Sequence, residues 1–480
     1  MLKAKISSLT IICISLLLFL PLISNFFWSD DWYFLWISRI SSFNEFFQFF
    51  SFGQNPHTTP MYRPLSTQVF FFVFQSLFGL HAWVYYLCSL VVWGIGLYIL
   101  YKLVSDMFKD RAMALLTLTL YSFSASHFAR LSYLSAFQEI LMFTLGMTAI
   151  YCMTSIQTKR GFYMGIVAFL TALMSKESAI VLPALMILVE LYKGTKVLNI
   201  KLLRKYLPIF IISCIYIYLR FIAKDWTDLG DGNYAWNFSI FRAIHTTIWY
   251  ALWSFGLPEL VIHYVGSKAS ILPRFWTDFP VMAKVLSAVF LLSIGTFFIG
   301  VGSWVWQHMK EIKHLRTITL GKLWFIIGIL PIVFLPDHKY VLGQSLALVG
   351  MAIVLAEVMY YSRRYLREVA FVSYIVLNLV SIVFLYQTNI SLQRSEISRR
   401  TYTYITEKYP NPPAGFYFKN DKPIQVEEWG QSRQIHQAVG EYFFSVIYGK
   451  SYKNVAYEDD PQPGVVMTEW QVLPSSLFVK

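Results

Sequence analysis

An all-α polytopic membrane protein with about eleven spans and a small α/β domain at its C-terminal end is the fold class this sequence predicts. Three observations lead there. Of 480 residues, 56% are hydrophobic and only 14% are charged, with a mean hydropathy of +0.51, a balance that belongs to membrane-embedded chains. Apolar stretches near span length recur between residues 6 and 387, separated by short polar segments. Beyond residue 390 the composition changes to Tyr409-Pro-Asn-Pro-Pro, Lys419-Asn-Asp-Lys and Tyr457-Glu-Asp-Asp-Pro-Gln-Pro-Gly, turn chemistry between short apolar runs. The expected division is a transmembrane domain over 1–389 and a soluble, extracytoplasmic domain over 390–480.

The elements follow in order. Residues 6–24 stand behind Lys3 and Lys5 and lack a small-residue cleavage site, so an uncleaved first span with a cytoplasmic N-terminus is expected. Residues 25–64 then lie outside, and the Phe-rich stretch from Ser41 to Phe50 suits an amphipathic helix at the interface. The apolar run 65–79 is too short to cross, and Phe78-Gly79 breaks it from the second span at 82–101. Further spans are expected at about 112–124, 137–156, 161–174, 178–192 and 206–223. After an outside loop over 224–280 come spans near 281–306, 322–335, 341–360 and 369–387. In the last domain, strands are expected at 415–418 and 464–467 and a helix at 430–448.

Charge supports this map. The predicted cytoplasmic segments carry nineteen Lys and Arg, from Lys3 to Arg367, whereas the short outside loops hold five: Arg39, Arg63, Arg130, Lys176 and Lys339. This positive-inside bias places the cytoplasmic membrane as the location and, with an odd number of spans, the tail outside. The net charge of +13 then reports cytoplasmic loops facing membrane lipid and implies no nucleic-acid partner. Cys13, Cys88, Cys152 and Cys214 all fall in apolar stretches and read as buried free thiols.

The chain is organised around residues 26–34, where Asp30 and Asp31 sit between aromatic blocks just past the first span. Ionised groups beside a membrane are costly unless they face water, a metal or a cation. Four more polar clusters are placed on the same side: Tyr62-Arg63-Pro64-Leu65, Ser126-His127 with Arg130, Ser175-Lys176-Glu177-Ser178, and Pro336-Asp337-His338-Lys339-Tyr340. Each has a bland reading. The aspartates would mark the end of a span, Arg63 would anchor a helix start before Pro64, and His127 would be an interfacial polar residue. Lys176 and Glu177 would pair only with each other, although neighbours on a helix point apart; residues 337–339 would be a solvated turn. Together they make a stronger case. Carboxylates suit a general base or a divalent cation, while Arg, Lys and His suit a phosphate. Both sets on one face suggest chemistry on a phosphorylated lipid.

On these residues the chain resembles the GT-C superfamily of integral-membrane glycosyltransferases, particularly the protein O-mannosyltransferase-like and aminoarabinose-transferase-like group. The resemblance runs from about residue 15 to 360. It rests on Asp30-Asp31 after the first span, Tyr62-Arg-Pro-Leu with Leu77-Phe-Gly-Leu, and His127 before Tyr133. Ser175-Lys-Glu-Ser-Ala with Pro183 and Asp337-His-Lys-Tyr before a span complete it. Three features depart from the family pattern: Ser124 stands where a His often opens the turn near His127, Lys339-Tyr340 replaces a frequent Arg-Tyr, and no tetratricopeptide array follows.

The resemblance implies transfer of a hexose or pentose from a polyprenyl-phosphate donor to an extracytoplasmic acceptor, whether protein, lipid or glycan. It implies Asp30 as the catalytic base with Asp31 beside it, and Arg63, Lys176, His338 and Lys339 against the donor phosphate. His127, Glu177 and Tyr340 would support them, Glu177 by orienting Lys176. These residues identify no definite cofactor; a divalent cation, if the reaction uses one, would be held by Asp30 and Asp31. A transporter or flippase of a lipid-linked or anionic substrate is the alternative, and would predict mid-membrane ionisable residues and an internal repeat. A non-catalytic scaffold would predict that both aspartates are dispensable.

Overall fold

The computed structural model describes residues 7–196, 200–222, 235–266, 270–335, 337–421, 430–449, 451–460 and 469–479, with the side chains of 221 and 222 left aside. Lys3, Lys5, Pro336 and the strand expected at 464–467 lie outside the described residues. Among those described, seven helices are long and apolar enough to cross a membrane: Ala82–Phe108, Leu134–Ser155, Ile200–Arg220, Met282–His308, Ile312–Val333, Val341–Tyr361 and Arg364–Lys408. The other expected spans are helical but shorter: Ser8–Ser24, Arg111–Ser122, Lys159–Leu173 and Leu182–Tyr192.

Local chemistry sets these limits. Lys109, at φ 52°, ends Ala82–Phe108 in the left-handed region. Asp110 then starts the next helix by accepting from Ala112 N at 2.8 Å and Met113 N at 3.1 Å. Thr158 caps Lys159–Leu173 in the same way through Gly161 N at 3.1 Å. Between Leu173 and Leu182 the chain turns through the 3-10 segment Glu177–Val181, which sets Lys176 and Glu177 at one end of the bundle.

The helices Ile312–Val333 and Ser345–Tyr361 pack closely, because Gly321, Gly328 and Gly350 line their contact. A Cβ at Gly328 would stand 2.6 Å from Ala347 N, so only a hydrogen lets the backbones approach this far. That contact holds the turn over 334–344, which carries His338 and Tyr340.

The segment expected as an outside loop over 224–280 contains the helix Ile240–Phe255. Its Trp249, Tyr250 and Trp253 are buried against Phe325, Ile329 and Val333. Asn237 N donates to Phe334 O at 2.9 Å and the Tyr250 hydroxyl to Tyr340 O at 3.2 Å. From this turn the helix dips into the bundle: the Tyr374 hydroxyl donates to Ser254 O at 3.3 Å, and Phe255 meets Phe297 with ring centroids 4.9 Å apart; its sixteen residues are short for a crossing. The run 65–79 is helical, opening with a π-turn at Leu65–Val69 and continuing over Phe70–Phe78. The interfacial stretch forms the short helix Phe43–Gln48 with Phe43 and Phe47 exposed. All four cysteines are free, but only Cys152 is buried in protein; Cys13 and Cys214 face outward from the bundle, because an apolar span has a lipid side as well as a core side.

Asn389 interrupts the last long helix, its side chain accepting from Ser391 N at 2.8 Å, and the polar helix Ile390–Lys408 leads into the C-terminal part. There β1 (Phe416–Lys419), β2 (Val455–Tyr457) and β3 (Gln471–Pro474) form a parallel sheet in the order β2-β1-β3. Phe416 is paired with Val455 on one side and Gln471 on the other. The helix expected at 430–448 is two, Gln431–Val439 and Phe443–Tyr448, divided at Gly440, whose φ of 65° favours glycine.

This part packs directly on the acidic segment. Trp32 meets Phe443 with ring centroids 4.8 Å apart, and Trp36 meets Tyr442 at 4.6 Å. Ser395 accepts from Phe26 N at 2.6 Å, Ser398 from Trp32 Nε1 at 3.0 Å, and Ala438 O from Ser29 N at 2.8 Å.

Candidate active site

Ser29 precedes the short helix Asp30–Ile37 with φ 51° and ψ −119°, an unfavourable conformation for a residue with a Cβ. Its bond to Ala438 O holds it there. The turn sends the two aspartates in different directions. Asp30 opens onto a cavity of about 610 Å³ at the end of the bundle. Asp31 is wholly buried: one oxygen accepts from Trp28 N at 3.0 Å, the other from Ser135 N at 2.7 Å and the Ser135 hydroxyl at 2.6 Å. Asp31 thus stitches the acidic turn to the 134–136 turn and presents no oxygen to the cavity.

The cavity wall near Asp30 is aromatic and cationic. The Tyr133 hydroxyl donates to the Asp30 carboxylate, and its ring lies 4.2 Å from that of Trp28. Arg394 sits over the Trp28 ring at 5.5 Å and donates to Gln437 at 2.6 Å. Burial raises the Asp30 pKa, against the Tyr133 hydrogen bond and the charges of Arg63 and Arg394. Its carboxylate is exposed to the cavity, and the protein packed around that cavity is what disfavours its charged form. Burial likewise pushes Asp31 up to about 8, against its bonds to Ser135 and Trp28.

Arg63, Lys176, Glu177, His338 and Tyr340 also line the cavity. Arg63 grips Glu177 with two nitrogens, Nε at 2.6 Å and Nη2, while Nη1 reaches Gln138. Lys176 pairs with Glu139 at 2.9 Å, and Glu139 also accepts from the Ser345 hydroxyl. The expected orientation of Lys176 by Glu177 is therefore exchanged: the adjacent side chains diverge, Glu177 to the chain before Pro64 and Lys176 to the helix Phe137–Ser155. Burial would raise the Glu177 carboxyl, but Arg63 and Lys176 outweigh it and bring it to about 2.

Two expected members lie elsewhere. Lys339 is absent from the cavity wall; the charges acting on it are Asp337 and Arg242, and it lies near His245. His127 is buried in the core, with Nε2 2.7 Å from Tyr121 O and Nδ1 3.1 Å from Arg130 Nη1. Because the guanidinium only donates, Nδ1 is the acceptor and Nε2 carries the proton. Arg130 in turn donates to Val341 O at 3.3 Å, so His127 acts through Arg130 on the backbone just after Tyr340.

Sequence reasoning missed Glu139, Glu259 and Arg394 as cavity residues. Glu139 lay hidden in the first turn of an expected span and Glu259 in a long loop. Burial lifts Glu259 to about 7 against a hydrogen bond from the Val341 backbone. Arg394 left one signal: it shares a helical face with Ile390 and Ile397, four before and three after. Nor do the residues suit a cation shared by Asp30 and Asp31. Both Asp31 oxygens already accept hydrogen bonds, and among the described residues no His, Cys, Asp and Glu group at the cavity is spaced for a metal.

No protein-family model and no curated protein matches the chain. Among solved structures, it overlaps the arabinofuranosyltransferase AftD from Mycobacteria at TM-score 0.41 and 15% identity, over 88% of this chain and 30% of that one. It overlaps ArnT from Cupriavidus metallidurans at TM-score 0.40 and 14% identity, over 91% of this chain and 84% of that one. The Archaeoglobus fulgidus oligosaccharyltransferase, in a complex with zinc and sulfate, overlaps at TM-score 0.40 and 10% identity, over 93% and 62%. All three are GT-C glycosyltransferases. The chain spans less than a third of the AftD length, and overlaps at this level determine no activity.

Proposed function

We propose that the protein is a membrane glycosyltransferase that moves one sugar from a polyprenyl-phosphate donor to an acceptor hydroxyl at the extracytoplasmic face. The observation that carries this reading is the juxtaposition in one cavity of Asp30 with Arg63, Lys176, His338 and Arg394. A carboxylate facing a cationic wall is what transfer from a phosphate leaving group needs, and the apolar bundle beneath supplies a place for the lipid.

In the reaction, Asp30 takes the proton of the acceptor hydroxyl. The acceptor oxygen bonds to the anomeric carbon as the bond from that carbon to the phosphate oxygen breaks, and the electron pair leaves with the lipid phosphate. One such displacement inverts the anomeric centre. Raising the Asp30 pKa makes it a better base near neutrality, provided it remains ionised. Tyr133, Arg63 and Arg394 favour the ionised form. Charge developing on the phosphate is stabilised by Lys176, His338 and Arg394, with Arg63 held in place by Glu177 and Gln138.

The test is incubation of purified protein with a panel of radiolabelled polyprenyl-phosphate sugars and a pool of envelope acceptors. Label should pass from lipid to acceptor with the native protein and remain on lipid with Asp30→Asn. Equal transfer by a well-folded Asp30→Asn protein would overturn the assignment.

A further inference from the structure

At the other end of the bundle, where Met282–His308 turns into Ile312–Val333, the chain reads His308-Met-Lys-Glu311-Ile-Lys-His314. The cavity residues Pro331 and Ile332 lie near the opposite end of the second helix, about 30 Å away at 1.5 Å per residue. Glu311 stands at the corner as the residue preceding that helix, with its N–H bonded to His308 O at 2.9 Å, and His314 N bonds back to Glu311 O at 3.1 Å. The compact corner brings one donor atom from each of His308, Glu311 and His314 within 4.8 Å of one another.

The hydrogen-bond pattern points to a ligand. His314 Nδ1 lies 2.6 Å from Glu357, a carboxylate buried in the helix Ser345–Tyr361. Nδ1–H donating to Glu357 leaves Nε2 as a lone pair, yet Nε2 faces Glu311 Oε2 at 3.2 Å. Two acceptors facing each other need a positive centre between them. On the other side, His308 Nδ1 lies 3.0 Å from Glu311 Oε1. A carboxylate behind a ligating imidazole is the usual outer partner of a metal-bound histidine, fixing its tautomer and ring direction. The Tyr361 ring, 4.1 Å from that of His314, walls the corner.

We propose that His308, Glu311 and His314 bind one divalent transition-metal ion, best suited to Zn²⁺, with Glu357 as the positioning residue. Two imidazoles and a carboxylate form a nitrogen–oxygen donor set for zinc with one coordination position left for water. Bound there, the ion clips the corner between two membrane helices, and the His314–Glu357 contact links that corner to a third.

The full chain in detergent, stripped with a chelator and titrated with ZnCl₂ against a competing dye, tests the site. The native protein is expected to bind one zinc. Glu311→Gln, a change at an exposed side chain that leaves the helices intact, is expected to weaken it at least tenfold, and Glu357→Gln by about tenfold through loss of the outer carboxylate. Loading with Co²⁺ should give the visible absorption of a tetrahedral site, absent in Glu311→Gln. A native protein that takes up no zinc overturns the proposal and leaves a protonated His314 bridging two carboxylates. Native affinity retained in a folded His308→Ala, Glu311→Gln double variant overturns it equally.

Discussion

Asp31 accepts from both the backbone N–H and the hydroxyl of Ser135, at 2.7 and 2.6 Å, and this contact separates the roles of two adjacent aspartates. Asp30→Asn should fold normally and lose about 10²–10⁴-fold in transfer rate, the usual contribution of a general base. Asp31→Asn would turn an amide toward donors it must share a site with, and should lower stability by about 1–3 kcal/mol. Ser135→Ala should resemble Asp31→Asn in thermal unfolding and differ from Asp30→Asn in keeping most of the rate per folded molecule. Equal rates for Asp30→Asn and Asp31→Asn at matched folded fraction would contradict the division.

The Arg63–Glu177 pair predicts a stability difference that depends on pH. The Glu177 carboxyl is held at about 2, below its unperturbed 4.5, so its contribution is present above the unfolded value and is lost as pH falls from there toward 2. The shift corresponds to about 3 kcal/mol. Glu177→Gln should therefore unfold at clearly lower temperature than the native protein at pH 7, with the gap closing by pH 2–3 (roughly, by the same linkage). A gap independent of pH would show that the loss came from packing.

Donor binding should respond to position on the cavity wall. Removing a charge-assisted contact costs about 1.5–3 kcal/mol, so Arg394→Ala and Lys176→Ala should each weaken donor binding by roughly ten- to a hundredfold. Lys339→Ala, off the wall, should leave it near the native value. Titration of the three purified variants with a polyprenyl-phosphate sugar distinguishes these outcomes; a loss confined to Lys339→Ala would reverse the order proposed here.

Tyr133 tunes the proposed base. Its hydroxyl donates to Asp30 and favours the ionised carboxylate, so Tyr133→Phe should raise the Asp30 pKa further. In the proposed reaction activity requires ionised Asp30 and falls as pH drops through that pKa. The acidic limb of kcat/KM is expected above the ordinary carboxylate value of about 4, and in Tyr133→Phe it should move to still higher pH. An unmoved limb would remove Asp30 as the titrating group.

Membrane helices were readable because apolar runs carry their signal, whereas Ile240–Phe255 was not, because Arg242, His245, Thr246 and Thr247 break its apolar run. Asp30, Arg63, Lys176 and His338 were legible as candidates because charges in short connections must gather at one end of a bundle. Their partners were not. Which of Lys176 and Glu177 meets Arg63 depends on the helix each side chain faces, and the separation of Asp30 from Asp31 follows from the Ser29 turn, whose cause is a contact with Ala438. Arg394 sat in a polar tail where a charge ordinarily means solvent, and only the fold turns it inward.

The contact between Ser29 and Ala438 also has a bearing on biogenesis. Ala438 lies in the helix Gln431–Val439, 409 positions after Ser29 (438 − 29), so the acidic turn leaves the ribosome well before the helix that fixes it. Phe26 likewise waits for Ser395, 369 positions downstream. A nascent chain that has emerged only as far as the last membrane helix would carry Asp30 and Asp31 and still lack the contact that holds Ser29. The geometry that aims Asp30 is thereby reserved for chains that extend at least through Ala438, a built-in delay between insertion of the helices and assembly of the cavity.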